Sequence, residues 1–427
     1  MKKVVININE LGPVKEQVIE LKPVMLFTGE SGLGKSYVNF LAYYLFYVFS
    51  SERMHDYILE KINVDVNKEK EFSFIIKSGD LIEWMRNDVK KFFVYLYNYD
   101  NIKCDIEFLF EKIEEEFKIK YIKNDVKKED KDFLSFLIDF NGKKTRTFFA
   151  FQQRMDRAIC DVVIRQLCFS FLGIDVVRSF LLPPGRASLL TGDFTAQSGS
   201  SKLGLYDLFL RDNDRINSMA LWGRMVNRDN TKFVRQVHDL IKGDLVAEKD
   251  GLFLKTEDNQ LIPLGAAASS IKELTPLLQL ILSGRISDYS VCIEEPEAHL
   301  HPEMQISIAD LLASCINQDV YMQITTHSDY LLQRINQLLK YGSIRAKNPQ
   351  RYQIICDEYN HNKESYLDKK DVNAYYFSSE KGKTKIEPLT ISDDGIPLST
   401  FFNAVGVLSR EDEFLKEELE KLSGENV

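Results

Sequence analysis

The segment LFTGESGLGKSYVNF, residues 26–40, restricts the fold of this chain more than any other. A strand-like apolar run at 24–27 leads into a glycine-rich loop, and an apolar helical pattern follows the loop. The loop matches G-x-x-x-x-G-K-[ST] at every position, over Gly29, Glu30, Ser31, Gly32, Leu33, Gly34, Lys35 and Ser36. In such loops the backbone N–H groups and the helix N-terminus bind phosphates, the lysine reaches the β- and γ-phosphates, and the hydroxyl binds Mg²⁺. A chance glycine turn is the alternative, but the flanking strand and helix favour an ATP or GTP site.

Composition indicates a globular chain with two or three cores. The 427 residues are 44% apolar and 28% charged, and the net charge of −9 argues against a surface built mainly for nucleic acid. Six cysteines occur without C-x-x-C pairs, which favours reduced thiols in the core. The opening MKKVVININELG alternates like a strand, and no apolar run reaches the length of a membrane span. We therefore expect a cytoplasmic protein without a membrane segment.

Two adjacent carboxylates follow a second buried strand in DYSVCIEEPEAHLHPEMQ. Val291 to Ile293 is apolar, and Glu294 and Glu295 come directly after it. A carboxylate at a strand end beside a P-loop can support a magnesium ion or the attacking water. We expect Glu294 to contribute to the metal shell through water and Glu295 to polarise the water. An acidic surface loop is the alternative, which the preceding apolar strand disfavours.

A histidine and two serines extend this pattern. In VYMQITTHSDYLL, His327 comes just after a predicted strand, and parallel strands end at one edge of a sheet, so we expect His327 to meet the γ-phosphate. In PLGAAASSIKELTPLLQLIL, Ser269 and Ser270 begin an amphipathic helix, with Glu273 spaced as a capping-box partner of Ser270. The two serines fit an anion site at a helix N-terminus, or a simple helix cap.

The order of these motifs resembles a known group of ATPases. A P-loop, a serine-rich helix start, E-E-P-E-A-H-L-H-P and T-T-H-S are similar to the ABC-type ATPases of the SMC, RecF and OLD branch. Within it the chain looks most like the stand-alone AAA family ATPases of bacterial anti-phage defence systems. The similarity covers about 35 residues at the start, including ELGPVKEQVIELKPVMLFTGESGLGKS, and residues 260–335.

This resemblance implies roles for individual residues. Lys35 and Ser36 correspond to Walker A, with Ser36 and Glu294 as the metal residues. Glu294 and Glu295 correspond to Walker B and His327 to the switch histidine. Residues 297–301 correspond to the D-loop, and residues 268–270 to the signature, in which Ser269 and Ser270 would contact ATP of a second head. The chain departs from the wider pattern at Glu294, where Asp is usual, and at Ser270, where Gly is usual.

An arginine after another predicted strand extends the resemblance. FLLPPGRASLL is similar to the group's strand followed by proline and arginine, which implies a phosphate-facing Arg186. A structural arginine in a salt bridge is the alternative.

The implied fold is α/β: a P-loop NTPase of ABC/SMC-head type with two lobes, a mixed α/β insertion and a C-terminal α+β extension. We expect a Walker A lobe at 1–50, an insertion at 51–150, the rest of the head at 151–340 and the extension at 341–427. Apolar residues with helical spacing predict a helix at 102–117 (Ile102, Ile106, Leu109, Ile113 and Phe117). Hairpin turns are predicted at Asn141-Gly142, Asp250-Gly251 and Lys381-Gly382.

The expected activity is hydrolysis of ATP with Mg²⁺. The resemblance implies a molecular switch in anti-phage defence, a homodimer or higher homo-oligomer through ATP-sandwiched heads, and a nuclease or toxin effector from another gene. In the C-terminal region no D-x-D follows a glutamate-rich strand, as a TOPRIM nuclease domain would require, and the sequence has no H-N-H-like cluster of histidines. The alternative is an SMC/RecF-like ATPase of DNA repair or chromosomes, so DNA binding stays open. A transporter's nucleotide-binding subunit is disfavoured by the charged insertion and the unusual signature.

Overall fold

The computed structural model describes residues 1–66, 68–128, 131–150, 155–191, 203–226, 231–248, 251–284 and 286–397, with 406, 408–416 and 419 near the end. The strands are β1 Val4–Leu11, β2 Val14–Leu21, β3 Val24–Gly29, β4 Glu71–Lys77, β5 Cys104–Phe110, β6 Glu116–Lys128, β7 Lys131–Phe140, β8 Lys143–Ala150, β9 Arg178–Leu182, β10 Gly243–Glu248, β11 Gly251–Thr256, β12 Leu261–Pro263, β13 Tyr289–Glu294, β14 Tyr321–Thr325, β15 Val372–Glu380 and β16 Lys383–Leu389. The helices are α1 Lys35–Tyr47, α2 Glu52–Ile62, α3 Ser78–Tyr97, α4 Met155–Leu172, α5 Arg186–Thr191, α6 Gly204–Val226, α7 Thr231–Ile241, α8 Ser269–Leu282, α9 Pro302–Ile316, α10 Asp329–Lys347 and α11 Pro349–Glu358.

A six-stranded sheet forms the centre of the molecule, in the order β16-β15-β3-β14-β13-β9. All neighbouring pairs are parallel except the hairpin of β15 and β16. Every residue of β13 and β14 is buried, as expected for parallel strands covered on both faces. Because the parallel strands end together, the loops that follow β3, β9, β13 and β14 meet at one edge.

Two hydrophobic cores cover the two faces of this sheet. Along β3, Met25 and Phe27 belong to one core, and Val24 and Leu26 belong to the other. The first core contains α1 to α4, the sheet β2-β1-β5 and the sheet β4-β6-β7-β8, whereas α8, α9 and α10 pack into the second. Because side chains alternate between the two faces of a strand, β3 contributes to both cores, and a separate lobe packs on each face of the sheet.

The predicted helix over 102–117 is wrong. Residues 104–110 form β5, which pairs with β1 in antiparallel register, Ile106 opposite Ile8 and Phe108 opposite Ile6. Ile106 and Phe108 are buried, whereas Leu109 is 46% exposed. The burial follows period two, and edge pairing with β1 satisfies the backbone, so the tertiary contact overrides the helical spacing.

The other local predictions match the structure where it describes the chain. Asn141 and Gly142, and likewise Lys381 and Gly382, have positive φ and join β7 to β8 and β15 to β16. The predicted hairpin at 250–251 corresponds to the antiparallel pair of β10 and β11, although 249–250 lie outside the described residues. The sequence also has a helical pattern over 151–173, which corresponds to α4, although 151–154 lie outside the described residues.

Two strand pairs cross the boundaries that the sequence suggests. β5 lies in the predicted insertion but pairs with β1, and β15 lies in the predicted extension but pairs with β3. The boundaries at 50/51 and 340/341 stay predictions, and neither follows a division between sheets. Within the described part of the chain, no helix combines the length and apolarity needed to cross a bilayer.

Candidate nucleotide site at the end of the parallel strands

A cavity of about 400 Å³ lies where the loops after β3, β13 and β14 meet. It is lined by residues from the P-loop, from both strand ends and from two neighbouring elements: Pro13, Ser31, Gly32, Gly34, Lys35, Ser36, Tyr37, Tyr97, Glu295, Thr325 and His327. Lys35, Ser36, Glu295 and His327, which the sequence places up to 292 positions apart, therefore share one cavity.

The P-loop has the backbone that its glycines require. Gly29, Gly32 and Gly34 all have positive φ, and α1 begins at Lys35 directly after the loop. The Lys35 Nζ donates to the carbonyl oxygens of Gly29 at 3.1 Å and Glu30 at 2.6 Å. Burial lowers the pKa of Lys35, and the charges of Glu295, Glu294 and Glu30 oppose this shift. The three carboxylates thus favour the charged form of the lysine.

Glu294 is tied to the first turns of α1. The Ser36 hydroxyl donates to Glu294 Oε2 at 2.5 Å, and Asn39 Nδ2 donates to Oε1 at 3.0 Å. Burial raises the pKa of Glu294, and the hydrogen bonds from Ser36 and Asn39 oppose the shift. A hydroxyl and a carboxylate side by side are the hard oxygen ligands that Mg²⁺ takes, together with substrate phosphates and water. Ser36 and Glu294 thus fit the expected metal pair.

Asn39 is a member of this site that sequence reasoning missed. It is fully buried among Val38, Phe40 and Leu41, and its side chain contacts both Glu294 and Cys292 Sγ. A lone amide in an apolar helix, one turn after the P-loop serine, was the available signal.

Glu295, the carboxylate expected to polarise the water, lines the cavity directly after β13. Its φ of 46° is unusual for a residue with a side chain, and its backbone N–H donates to the Thr325 carbonyl oxygen at 3.1 Å. This left-handed conformation ends β13 and lets the side chain line the cavity. Such backbone conformations persist where the surrounding contacts hold them, often at functional sites.

His327 lies on the other side of the cavity, after β14. Partial burial lowers the pKa of its imidazole, and the positive charge of Lys35 adds to the shift, so the ring is neutral at pH 7. Its backbone N–H donates to Glu297 Oε1 at 2.7 Å, and the Thr326 hydroxyl donates to the same oxygen at 2.7 Å. Glu297 thus fixes the loop that presents His327.

The C-terminal hairpin supports the P-loop, which the sequence did not indicate. Phe377 in β15 lies opposite Gly29, and its carbonyl oxygen accepts from Glu30 N at 2.9 Å. The Thr384 hydroxyl in β16 donates to the Leu33 carbonyl oxygen at 3.1 Å. A Cβ on Gly29 would lie 2.2 Å from the Phe377 carbonyl oxygen, so only glycine fits there.

Two tyrosines form an aromatic wall that was also missed. Tyr37, directly after the P-loop, stacks on Tyr97 with ring centroids 4.7 Å apart. Tyr97 is the last residue of α3, so a helix of the predicted insertion reaches the cavity.

Ser269 and Ser270 lie at the start of α8, outside the cavity. The helix begins at Ser269, its N-cap is Ala268, and neither serine makes a capping hydrogen bond. The predicted capping box of Ser270 and Glu273 is therefore wrong. Because the helix starts before Ser270, Glu273 points inward and is buried against Arg186. Ser269 is exposed and Ser270 half-buried.

Arg186 does not line the cavity, and the predicted phosphate-facing orientation is not the one in the structure. The side chain is fully buried, and its Nε lies 3.3 Å from Glu273 Oε2. It donates to three carbonyl oxygens, those of Glu273, Pro183 and Glu294. β9 ends beside β13, so the residues after β9 reach the backbone of Glu294 rather than the P-loop. These are the contacts of a structural arginine in a salt bridge, the alternative that the sequence left open.

Part of the chain matches a known family of ATPase domains. Residues 227–332, about a quarter of the chain, match the AAA ATPase domain family. This match spans α8, Glu294, Glu295 and His327. No curated protein has a significant match. Among the described residues, no group of three or more His, Cys, Asp or Glu side chains has the geometry to hold a metal ion by itself.

Three solved structures illustrate the structural similarity. An SMC head bound to the C-winged helix domain of ScpA is 13% identical, with 92% of this chain and 98% of that chain covered and a TM-score of 0.39. The SMC head domain from Thermotoga maritima is 12% identical, with 92% and 100% covered and a TM-score of 0.35. A head with an extended coiled coil bound to the C-terminal domain of ScpA, derived from Pyrococcus furiosus, is 12% identical, with 96% and 99% covered and a TM-score of 0.38.

TM-scores this low support no conclusion about function, which must rest on the geometry of the site. The parallel sheet, its two lobes and the P-loop beside Glu294 and Glu295 are features of this chain itself. The chain has an α/β fold in which a P-loop follows β3 of a central, mostly parallel sheet, and part of it matches an ATPase domain family.

Proposed function

We propose that this chain binds ATP with Mg²⁺ and hydrolyses it. The observation that carries the proposal is the convergence of Lys35, Ser36, Glu295 and His327 on one cavity, with Glu294 bonded to Ser36 at its wall. Each is of the residue type that phosphoryl transfer to water needs, and together they form a complete set. The match of residues 227–332 to AAA ATPase domains supports the same activity.

The residues divide the work between binding and chemistry. The P-loop N–H groups and Lys35 hold the phosphates, and Ser36 and Glu294 would hold Mg²⁺, which screens the phosphate charge when bound. Glu295 orients the attacking water and accepts its proton. The neutral imidazole of His327 donates a hydrogen bond toward the γ-phosphate, because it retains one N–H at pH 7.

We further propose that two heads sandwich ATP. The start of α8, with Ser269 and Ser270, lies away from the cavity of its own chain and is at least partly exposed. A helix N-terminus with free hydroxyls binds anions well, so this surface suits the γ-phosphate of a second copy. The resulting homodimer, or a larger homo-oligomer, would change its assembly as ATP is hydrolysed.

We propose a role in anti-phage defence, because the motif E-E-P-E-A-H-L-H-P resembles that of ATPases from such systems. In this proposal the chain is a switch or sensor that controls a separately encoded nuclease or toxin. Phage challenge of cells carrying the native locus, with wild type or Glu295→Gln, tests this role. Equal plating efficiency for the two would contradict it.

A role on DNA is the second candidate, and one cavity favours it. Arg157, Arg165, Arg178 and Arg215 line a cavity of about 440 Å³ on the side of β9, together with Glu52, His55 and Asp161. Arg157, Arg165 and Arg215 now pair with carboxylates, and a phosphate backbone would replace those partners. The two candidates differ in DNA dependence: a chromosome or repair ATPase should be stimulated by DNA, and the stimulation should fall with salt.

A further inference from the structure

Arg186 joins three segments around the site without touching the cavity. Its Nε donates to the Glu273 carbonyl oxygen at 2.7 Å, and Nη1 donates to the carbonyl oxygens of Glu294 at 2.9 Å and Pro183 at 3.1 Å. Glu273 closes the connection, since its Oε1 accepts from Ala187 N at 3.2 Å. One guanidinium therefore connects the first turns of α8 with the end of β13.

The segments that Arg186 joins serve different nucleotide sites in the proposed dimer. Glu294 is bound at its carboxylate by Ser36 and at its carbonyl by Arg186, so it belongs to the site of its own chain. Glu273 lies one turn after Ser270, at the end of α8 proposed to meet the ATP of the second head. Any shift of α8 therefore acts on Arg186 and through it on Glu294.

A further carboxylate extends the network to the switch histidine. Arg186 Nη2 and Glu297 Oε2 are buried, and neither has a hydrogen-bond partner among the described residues. Burial lowers the pKa of Arg186, and the charges of Glu273 and then Glu297 oppose that shift. Glu297 Oε1 already holds the backbone N–H of His327. The Arg186 Nη2 donor and the Glu297 Oε2 acceptor are thus available to form new hydrogen bonds if this buried cluster rearranges.

We propose that Arg186 is a positioning residue that couples the start of α8 to Glu294 and to the loop of His327. Contact of α8 with a second head then adjusts the catalytic groups of its own chain, and nucleotide in its own cavity adjusts α8. This inference rests on the proposed ATPase function. A fully buried arginine with three backbone acceptors suits it, because a planar fork with fixed donors transmits position better than a flexible lysine.

The test compares wild type with Arg186→Lys, which keeps the charge and loses the fork. Arg334→Lys is the matched control, because Arg334 forms a two-point ion pair with Asp310 on the same lobe but does not contact α8. Three quantities are measured for each protein: nucleotide affinity, kcat, and hydrogen exchange of 268–282 with and without a non-hydrolysable ATP analogue and Mg²⁺. Exchange is measured in a Ser270→Arg background, which keeps a second head away from α8.

Arg186→Lys should bind nucleotide within about threefold of wild type while kcat falls by about tenfold or more. In wild type the analogue should change exchange in 268–282, and in Arg186→Lys this response should be lost. Arg334→Lys should resemble wild type in all three quantities. Glu273→Gln, which keeps the carbonyl acceptor and the side-chain volume, should give the same pattern. It replaces Arg186→Lys in the test if the lysine variant folds poorly.

An unchanged kcat in both variants, or an α8 response that persists in them, would overturn the coupling. If Arg334→Lys loses as much kcat and exchange response as Arg186→Lys, Arg186 has only the stabilising role of an ordinary buried ion pair. If wild type binds the analogue but hydrolyses no ATP, the ATPase proposal fails, and the exchange measurement alone decides the coupling.

Discussion

The Ser36 hydroxyl and the Glu294 carboxylate are joined by a hydrogen bond of 2.5 Å, although 258 positions separate them in the chain. This bond brings the P-loop and the end of β13 together at the proposed magnesium position. Ser36 belongs to the first turn of α1 and Glu294 to the central sheet, so the packing of α1 on the sheet sets the geometry of the site.

Lys35→Ala should strongly weaken nucleotide binding without unfolding the protein. Lys35 is the cavity's lysine, and removing its charge-assisted hydrogen bonds should weaken ATP affinity by roughly tenfold or more. Titration with a fluorescent ATP analogue measures this, and thermal melting checks the fold. The exposed Lys340→Ala on α10 is the control. Unchanged affinity in Lys35→Ala would contradict the P-loop assignment.

Glu295→Gln should separate binding from chemistry. The amide keeps the shape of the side chain but cannot accept the proton of water, so kcat should fall by about two decades while ATP still binds. Light scattering should show an ATP-dependent dimer that persists in this variant. Glu303→Gln, an exposed change on α9, should leave the rate unchanged. A monomer with ATP in both wild type and Glu295→Gln would exclude the sandwich.

Ser270→Arg tests whether α8 meets a second head. A bulky cation at the half-buried start of α8 should block the approach of the partner, and hydrolysis should fall by about tenfold or more while ATP affinity stays within twofold. Ser270→Ala, which removes only the hydroxyl, should lose much less activity. A fully active Ser270→Arg would show that this helix end does not contribute to hydrolysis.

Gly29→Ala should damage the contact between the P-loop and the C-terminal hairpin. A Cβ there would lie 2.2 Å from the Phe377 carbonyl oxygen, at a φ of +119° that side chains rarely adopt. We expect a loss of more than about 2 kcal/mol in the free energy of unfolding. Gly79→Ala in α3, with open space around the new methyl group, should be neutral or slightly stabilising. Equal melting temperatures for the two variants would contradict the predicted clash.

Asp212 should make the protein less stable as pH rises. Burial raises the pKa of this carboxyl from 3.8 to about 7, so between these values the folded state holds a proton that the unfolded state has released. Its stabilising effect is therefore present at low pH and is lost as pH rises through 7. The melting temperature of Asp212→Asn relative to wild type should increase between pH 5 and pH 8. The exposed Asp214→Asn should show no such trend, and a flat difference for Asp212→Asn would contradict the shifted pKa.

The sequence alone was sufficient to predict the P-loop, the acidic pair at the end of β13, His327 after β14 and the hairpin turns at 141–142 and 381–382. Each depends on local chemistry: glycines with positive φ, an apolar strand ending in carboxylates, or a two-residue turn that the chain forms from its own neighbours. A window of about ten residues is enough to predict each of these features.

Only the tertiary structure decided which distant segments complete the site. The strand at 104–110 forms by pairing with β1. Gly29 pairs with β15, and the Glu294 carboxylate accepts a hydrogen bond from Asn39. Arg186 faces Glu273 rather than a phosphate because β9 ends beside β13, which brings together residues 87 positions apart. Local sequence cannot specify such contacts, because their energy comes from burial and hydrogen bonds that form only after the two lobes close on the central sheet.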